Sequence, residues 1–359
     1  MIFDEIKIEG FRGINKLDIK DLSSINLFVG RNNSSKTSIL EAIFLLSGIN
    51  PGLTISINNF RDLIMTEEND FRFIFHNLNY DNILTITGSA KENGYKRILN
   101  ILPGSTNKIS TPEIFNDNNI RRQLESIAMT SKINELTLEY YIGEKRHTGK
   151  VTFINNDFNI TPFIPFQNYD SNFKAVYVPP AFHSFSPNLE KRLEQLINSK
   201  QEHEIIEILN KVDNKIQGIS FGLNRMINID IGLDRLIPLN LLGEGIRRLL
   251  TIVLSIYDAK DGIVMIDELE NGLHFSTLKC LWRAVVYSSK KYNAQIFATS
   301  HNYETLKYLM EVLDEPENEK YQDEVRNFTI RKISELEHKS YCYKFPEFHH
   351  AIEEGIELR

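Results

Sequence analysis

Cysteine is scarce. The 359-residue chain has two, Cys280 and Cys342, and neither belongs to a Cys-x-x-Cys pair or to a run with zinc-ligand spacing. A disulfide framework is excluded, and both are expected to be reduced thiols of a cytoplasmic protein. Long apolar runs are missing too. The longest, near 249–257, falls far short of the ~20 residues of a membrane-spanning helix, so no membrane partner is expected. Met1-Ile2-Phe3-Asp4-Glu5 places acid before any apolar stretch, unlike a signal peptide. Positive charge is not in excess: 41 Lys and Arg stand against 48 Asp and Glu, a net charge of −7. That balance argues against a broad basic surface for nucleic acid and leaves only a local patch open. What remains is a globular composition, 42% hydrophobic and 25% charged, with enough residues for a substantial core in one large or two ordinary domains.

The stretch Gly30-Arg31-Asn32-Asn33-Ser34-Ser35-Lys36-Thr37-Ser38 organises the rest. An apolar run over 25–29 leads into it, and a helical pattern over 38–46 leads out. Strand, small polar loop, Lys-Thr and helix is the layout of a phosphate-binding P-loop. Loop N–H groups and the positive end of the following helix form a cradle for polyphosphate. Gly30, Asn32, Asn33, Ser34, Ser35, Lys36, Thr37 and Ser38 are therefore candidate ATP-binding residues, with Lys36 a point charge on the β- and γ-phosphates and Thr37 a Mg²⁺ ligand. The usual loop has glycine where Ser35 stands, and a Cβ there either weakens binding or shifts the loop. In the helix, Ile39, Leu40, Ile43, Phe44 and Leu46 form the apolar face, with Glu41 expected to point outward.

Three later motifs complete a site. Ile263-Val264-Met265-Ile266-Asp267-Glu268 reads as a buried strand ending in two carboxylates. Asp267 suits Mg²⁺ beside Thr37, and Glu268 suits polarisation of the attacking water. His301 follows the next strand, 294–299, where a side chain can bond the γ-phosphate and sense its loss. Leu242-Gly243-Glu244-Gly245-Ile246-Arg247-Arg248 opens a helix and offers a second anion site. One chain needs only one γ-phosphate site. A head-to-tail homodimer uses both, each copy presenting Gly243, Glu244, Gly245 and Arg247 to ATP on its partner's P-loop.

Alternating strands and helices around these motifs imply an α/β sheet with the site at the strands' carboxyl ends. Short alternating runs at 71–75, 83–87, 136–140 and 151–154 predict an antiparallel strand subdomain, with 103–119 as loop. Residues 175–178 read as a buried strand and 219–231 as a strand pair. A helical hairpin over about 186–217 is too short for the coiled-coil arm of a DNA-tethering machine. His203-Glu204-Ile205-Ile206-Glu207 resembles a metalloprotease helix but has Glu207 where the second histidine must stand, so no zinc site is expected.

In order and spacing, these motifs resemble an ATP-binding-cassette ATPase of the RecF/SMC/OLD-like branch. Phe11-Arg12-Gly13 resembles that branch's Phe-Arg turn near the nucleotide, which brings Arg12 into the site. Gly30 to Thr37 resembles Walker A, 242–248 the signature motif (in a departing Leu-Gly-Glu-Gly form), 263–268 Walker B, 270–274 the D-loop and His301 the switch histidine. The family's Q-loop glutamine has no assigned position. The resemblance implies a P-loop ABC-ATPase head with a mixed sheet, built as one domain from a core of about 1–60 and 218–359. A β-rich insertion, about 61–173, and the hairpin complete it. It implies Mg²⁺-dependent ATP hydrolysis by a homodimer. Within the branch the likeness is greatest to compact ATPases of bacterial antiphage systems such as PARIS and Septu. Residues 302–359 contain no Asp-x-Asp pair, so a TOPRIM nuclease, or an HNH nuclease, is expected as a partner effector rather than in this chain. A RecF-like DNA-repair ATPase and a non-hydrolysing ATP-bound scaffold are the alternatives.

Overall fold

The computed structural model describes residues 2–81, 83–90, 94–104, 133–154, 157–162, 174–180, 187–211, 213–222, 226–334, 337–356 and 358. The expected loop at 103–119 lies outside these from residue 105 onward, as does Val212 of the hairpin.

Six strands form the central mixed sheet: β3 (Ile25–Val29), β9 (Ala175–Val178), β13 (Ile263–Ile266), β14 (Gln295–Thr299), β15 (Val325–Lys332) and β16 (His338–Tyr343). Their order is β16-β15-β3-β14-β13-β9, parallel except for β16 at one edge. The apolar runs of β3, β13 and β14 are buried on both faces because alternate side chains enter two different cores. Ile263, Met265, Phe28 and Phe297 face one, and Val264, Ile266, Leu27 and Ile296 face the other.

The first core holds helix α1 (Lys36–Ser47), which lies between the central sheet and a second, seven-stranded antiparallel sheet. That sheet contains β1 (Glu5–Phe11), β2 (Ile14–Lys20), β4 (Leu84–Ala90), β5 (Tyr95–Gly104), β6 (Glu135–Ile142), β7 (Lys145–Ile154) and β8 (Asp157–Thr161). Strands β4 to β8 are antiparallel, as their alternation implied. They do not form a sheet of their own, however: β4 pairs with β1 and continues the N-terminal hairpin. They also hold the carboxyl end of α1. Arg97 Nη1 donates to the Leu46 and Ser47 carbonyls, and the Tyr140 hydroxyl donates to those of Leu45 and Gly48.

With a sheet on each side, α1 is buried from Ser38 through Ser47. Glu41 does not point outward; it is fully buried, against two arginines. A second correction concerns 71–75. The alternating pattern there predicts a strand, but 3₁₀ turns form over Glu68–Ile74 and His76–Leu78, with Phe71 and Ile74 buried together three residues apart.

The second core lies under the remaining helices. The hairpin consists of α3 (Pro187–Asn198) and α4 (His203–Asn210). It lies against α5 (Glu244–Asp258) and α6 (Phe275–Lys291) through Leu193, Leu196, Ile205, Ile208 and Leu209. The pair expected at 219–231 is β10 (Gly218–Phe221) and β11 (Ile227–Asp230), joined by β12 (Ile237–Pro238) in a three-stranded sheet. Helices α7 (Tyr303–Leu313) and α8 (Phe345–Glu353) close this face. No described helix is long and apolar enough to cross a membrane.

Candidate active site

The loop between β3 and α1 has a conformation that phosphate binding by its N–H groups would require. Gly30 has φ 153°, and a Cβ there would lie 2.7 Å from the Ile330 carbonyl oxygen and 2.9 Å from Ser34 Oγ. Asn33 and Ser35 are left-handed, at φ 69° and 66°. Such residues alternating with ordinary ones turn successive N–H groups toward a common hollow. Lys36 is folded back across the loop, its ammonium donating to the carbonyls of Gly30 (2.8 Å) and Arg31 (3.0 Å). Burial lowers its pKa, against the opposing pull of Asp267.

The Ser35 side chain turns toward Gly13 and His338. Its Oγ is 3.4 Å from His338 Nε2, and a Cβ on Gly13 would lie 2.7 Å from that oxygen. The hairpin turn has thus left room for a serine at a glycine position. Gly13→Ala is expected to destabilise the fold by about 1–3 kcal/mol through this clash. Adding Ser35→Gly should remove most of the cost. Thermal melts of both singles and the double check this, and simple additivity would contradict it.

The end of β13 completes the site. Asp267 is buried, and its Oδ1 accepts from Thr37 Oγ1 (3.1 Å) and Thr299 Oγ1 (2.6 Å). Its Oδ2 accepts from the Tyr177 hydroxyl at 3.3 Å. Glu268 takes a left-handed φ of 45° and donates its N–H to Thr299 Oγ1 (2.8 Å). Arg248 fixes this strand end from below, donating to the carbonyls of Pro179 (2.6 Å), Asp267 (2.8 Å) and Glu268 (3.2 Å). Burial brings its pKa down to about 10. Glu270 orients the next turn, its Oε1 accepting from Ser300 Oγ (2.9 Å) and the His301 N–H (3.0 Å). The His301 ring stays half-exposed.

These groups surround a cleft of about 540 Å³, lined by Asn32 to Ser38, Arg12, Asp267, Glu268 and His301. That volume suits a nucleotide-sized ligand. A carboxylate oxygen beside a threonine hydroxyl, at the mouth of a phosphate-type loop, is a hard-oxygen donor set of the kind Mg²⁺ takes together with phosphate oxygens.

Arg12, at the β1–β2 turn with φ 47°, lines the cleft but is committed to protein partners. Its Nε lies 2.8 Å from Glu41 Oε2, and its Nη2 donates to the Ile57 carbonyl (3.1 Å) and Asn58 Oδ1 (3.0 Å). Gly243, Glu244, Gly245 and Arg247 do not line the cleft. Gly243 caps α5 with φ 89°, Glu244 is exposed, and Arg247 Nη2 is 3.5 Å from Glu244 Oε1. Sequence reasoning missed Glu41, Arg61, Tyr177, Thr299 and the anchoring role of Arg248. Thr299 is the last residue of the strand expected at 294–299, two before His301, whereas the others depend on tertiary neighbours.

Residues 25–307 match the family described as "AAA domain, putative AbiEii toxin, Type IV TA system". A Helicobacter pylori protein described as an ATP/GTP phosphatase is 25% identical over 345 residues, 88% of this chain and 89% of that protein. The DNA replication and repair protein RecF of Lactobacillus acidophilus is 38% identical over 47 residues, 13% of this chain and 12% of RecF. The crystal structure of the Smc head bound to the C-winged helix domain of ScpA aligns with a TM-score of 0.52 at 12% identity. It covers 98% of this chain and 100% of that one, a likeness of fold. The matched span holds the P-loop, the Asp267-Glu268 strand end and His301, and the chain belongs to this AAA-domain family.

Proposed function

We propose that the cleft binds ATP with Mg²⁺ and hydrolyses it to ADP and phosphate. One observation carries the reading: two pairs, Lys36-Thr37 and Asp267-Glu268, 230 residues apart in sequence, line one cleft at the carboxyl ends of β3 and β13. The loop N–H groups and Lys36 hold the β- and γ-phosphates, Lys36 exchanging its carbonyl partners for phosphate oxygens. Thr37 and Asp267 are the residues that would hold Mg²⁺, which when bound neutralises charge on those oxygens. Glu268 accepts a proton from the attacking water, and His301 donates a hydrogen bond to the γ-phosphate.

The active form is a head-to-tail homodimer of a cytoplasmic protein. The glycine-rich start of α5 lies outside its own chain's cleft, and exposed apolar residues flank it, among them Leu241, Leu236 and Phe275. A second copy would place Gly243 to Arg247 over the nucleotide. The dimer acts as a sensor or scaffold that controls a partner effector, a nuclease of TOPRIM or HNH type, in antiphage defence. The resemblance to compact defence ATPases supports this assignment. The short match to RecF favours a second reading, a DNA-dependent ATPase, which ATP-stimulated and salt-sensitive DNA binding would establish.

Orthophosphate release from ATP and from GTP by the wild-type chain, beside Lys36→Ala, tests the chemistry. Release that depends on Lys36 is expected, and release unaffected by the substitution would place the activity elsewhere.

A further inference from the structure

Glu270 has no part in the scheme above and does not line the cleft, yet it grips a residue that does. The chain turns sharply after β13, where Glu268 has φ 45°. The Leu269 N–H then donates to the Thr299 carbonyl (3.0 Å), which ties this turn to the end of β14. That tie brings the Glu270 carboxylate against Ser300 and His301. Its Oε1 accepts from Ser300 Oγ (2.9 Å) and from the His301 N–H (3.0 Å). On the far side Asn302 caps α7, its side chain accepting from the Glu304 N–H. The His301 backbone is thus fixed from both directions. Its ring, 47% exposed in the cleft, is the part that can turn.

The two carboxylate oxygens of Glu270 differ. The residue is 8% exposed, and among the described residues its Oε2 is buried without a hydrogen-bond partner. A carboxylate can accept about four hydrogen bonds, and an ionised oxygen held out of water without a donor is unfavourable. Nearby cations do not supply that donor. Arg248 and Lys36 feel the charge of Glu270, but equally those of Asp267 and Glu268. Arg61, just past α2 (Leu53–Asn59), grips Glu41 instead. A donor lies just out of reach: His301 Nδ1 is 3.6 Å from Glu270 Oε1, slightly beyond a hydrogen bond. A small rotation of the ring would give its Nδ1–H to the carboxylate and leave Nε2 for a ligand in the cleft.

We propose that Glu270 is the positioning residue for His301: its carboxylate takes the Nδ1–H of the ring and so presents Nε2 to the terminal phosphate of a bound nucleoside triphosphate. This rests on the nucleotide reading above and adds to it a residue that acts from outside the cleft. Equilibrium binding of ADP and of a non-hydrolysable ATP analogue tests it, with wild type expected to prefer the triphosphate. Glu270→Gln keeps one oxygen for Ser300 and the His301 N–H, but sets an amide NH₂ where Oε2 stood, so it cannot take the Nδ1–H. It should lose about tenfold of that preference, the scale of one charge-assisted hydrogen bond, with ADP affinity and melting temperature near those of wild type. His301→Ala should lose as much, and the double variant no more than either single, because the two residues act as one unit. Where Glu270→Gln fails to fold, Glu270→Asp, one carbon too short to reach the ring, takes its place with the same expected loss. A lowered melting temperature with the triphosphate preference intact would show that Glu270 only braces the turn, and would overturn the proposal, as would losses that add in the double variant. A wild-type chain that binds neither nucleotide, or both equally, would instead overturn the nucleotide reading on which the proposal rests.

Discussion

Glu268→Gln is expected to lower ATP turnover at least about a hundredfold while leaving ATP bound, the usual scale for removing a general base. The amide has the shape of the carboxylate but cannot take a proton from water. Its backbone anchors stay in place, since they are the N–H to Thr299 Oγ1 and the carbonyl held by Arg248. The loss should therefore fall on kcat, with nucleotide affinity and melting temperature near those of wild type. Single-turnover hydrolysis beside equilibrium ATP binding separates the two, and unchanged turnover would remove Glu268 from this role.

Glu41→Ala is expected to cost about 3–5 kcal/mol of stability, because it strips the partner from charged groups held out of water. Burial already raises the Glu41 pKa, with hydrogen bonding to Arg61 and the charges of both arginines pulling the other way. Removing the carboxylate leaves Arg12 buried beside Arg61 without its counter-charge. Urea unfolding of the two chains measures the difference. A change below about 1 kcal/mol would mean that both guanidiniums reach water or other acceptors.

The parts of this molecule that were legible in sequence are those set by short spacing. A strand, a polar loop and a Lys-Thr helix start identify the P-loop, and β13 ends on Asp267-Glu268 as its apolar run required. Glu41 was misread because helical periodicity separates one apolar face from one polar face. Here α1 has a sheet on each side, so its polar position is buried and needs Arg12 and Arg61. The run at 71–75 fits period two and a 3₁₀ face equally well over so few residues, and contact with the β1–β2 turn decides it: Arg12 N–H donates to the Ile74 carbonyl. The pairing of β4 with β1 spans distant segments and has no local signature. The same holds for the Tyr177 and Arg248 contacts around Asp267.

The composite site is tested most directly by a heterodimer of two inactive chains, co-expressed and purified through different tags. One carries Lys36→Ala. The other carries Gly245→Asp, where a Cβ meets only ordinary contacts, the nearest 3.5 Å away at Leu273, while the carboxylate would oppose phosphate. Each variant alone should be inactive. The heterodimer retains one intact pairing of P-loop and glycine-rich helix start, so about half the wild-type rate per dimer is expected. A heterodimer no more active than either parent would contradict a site shared between two copies.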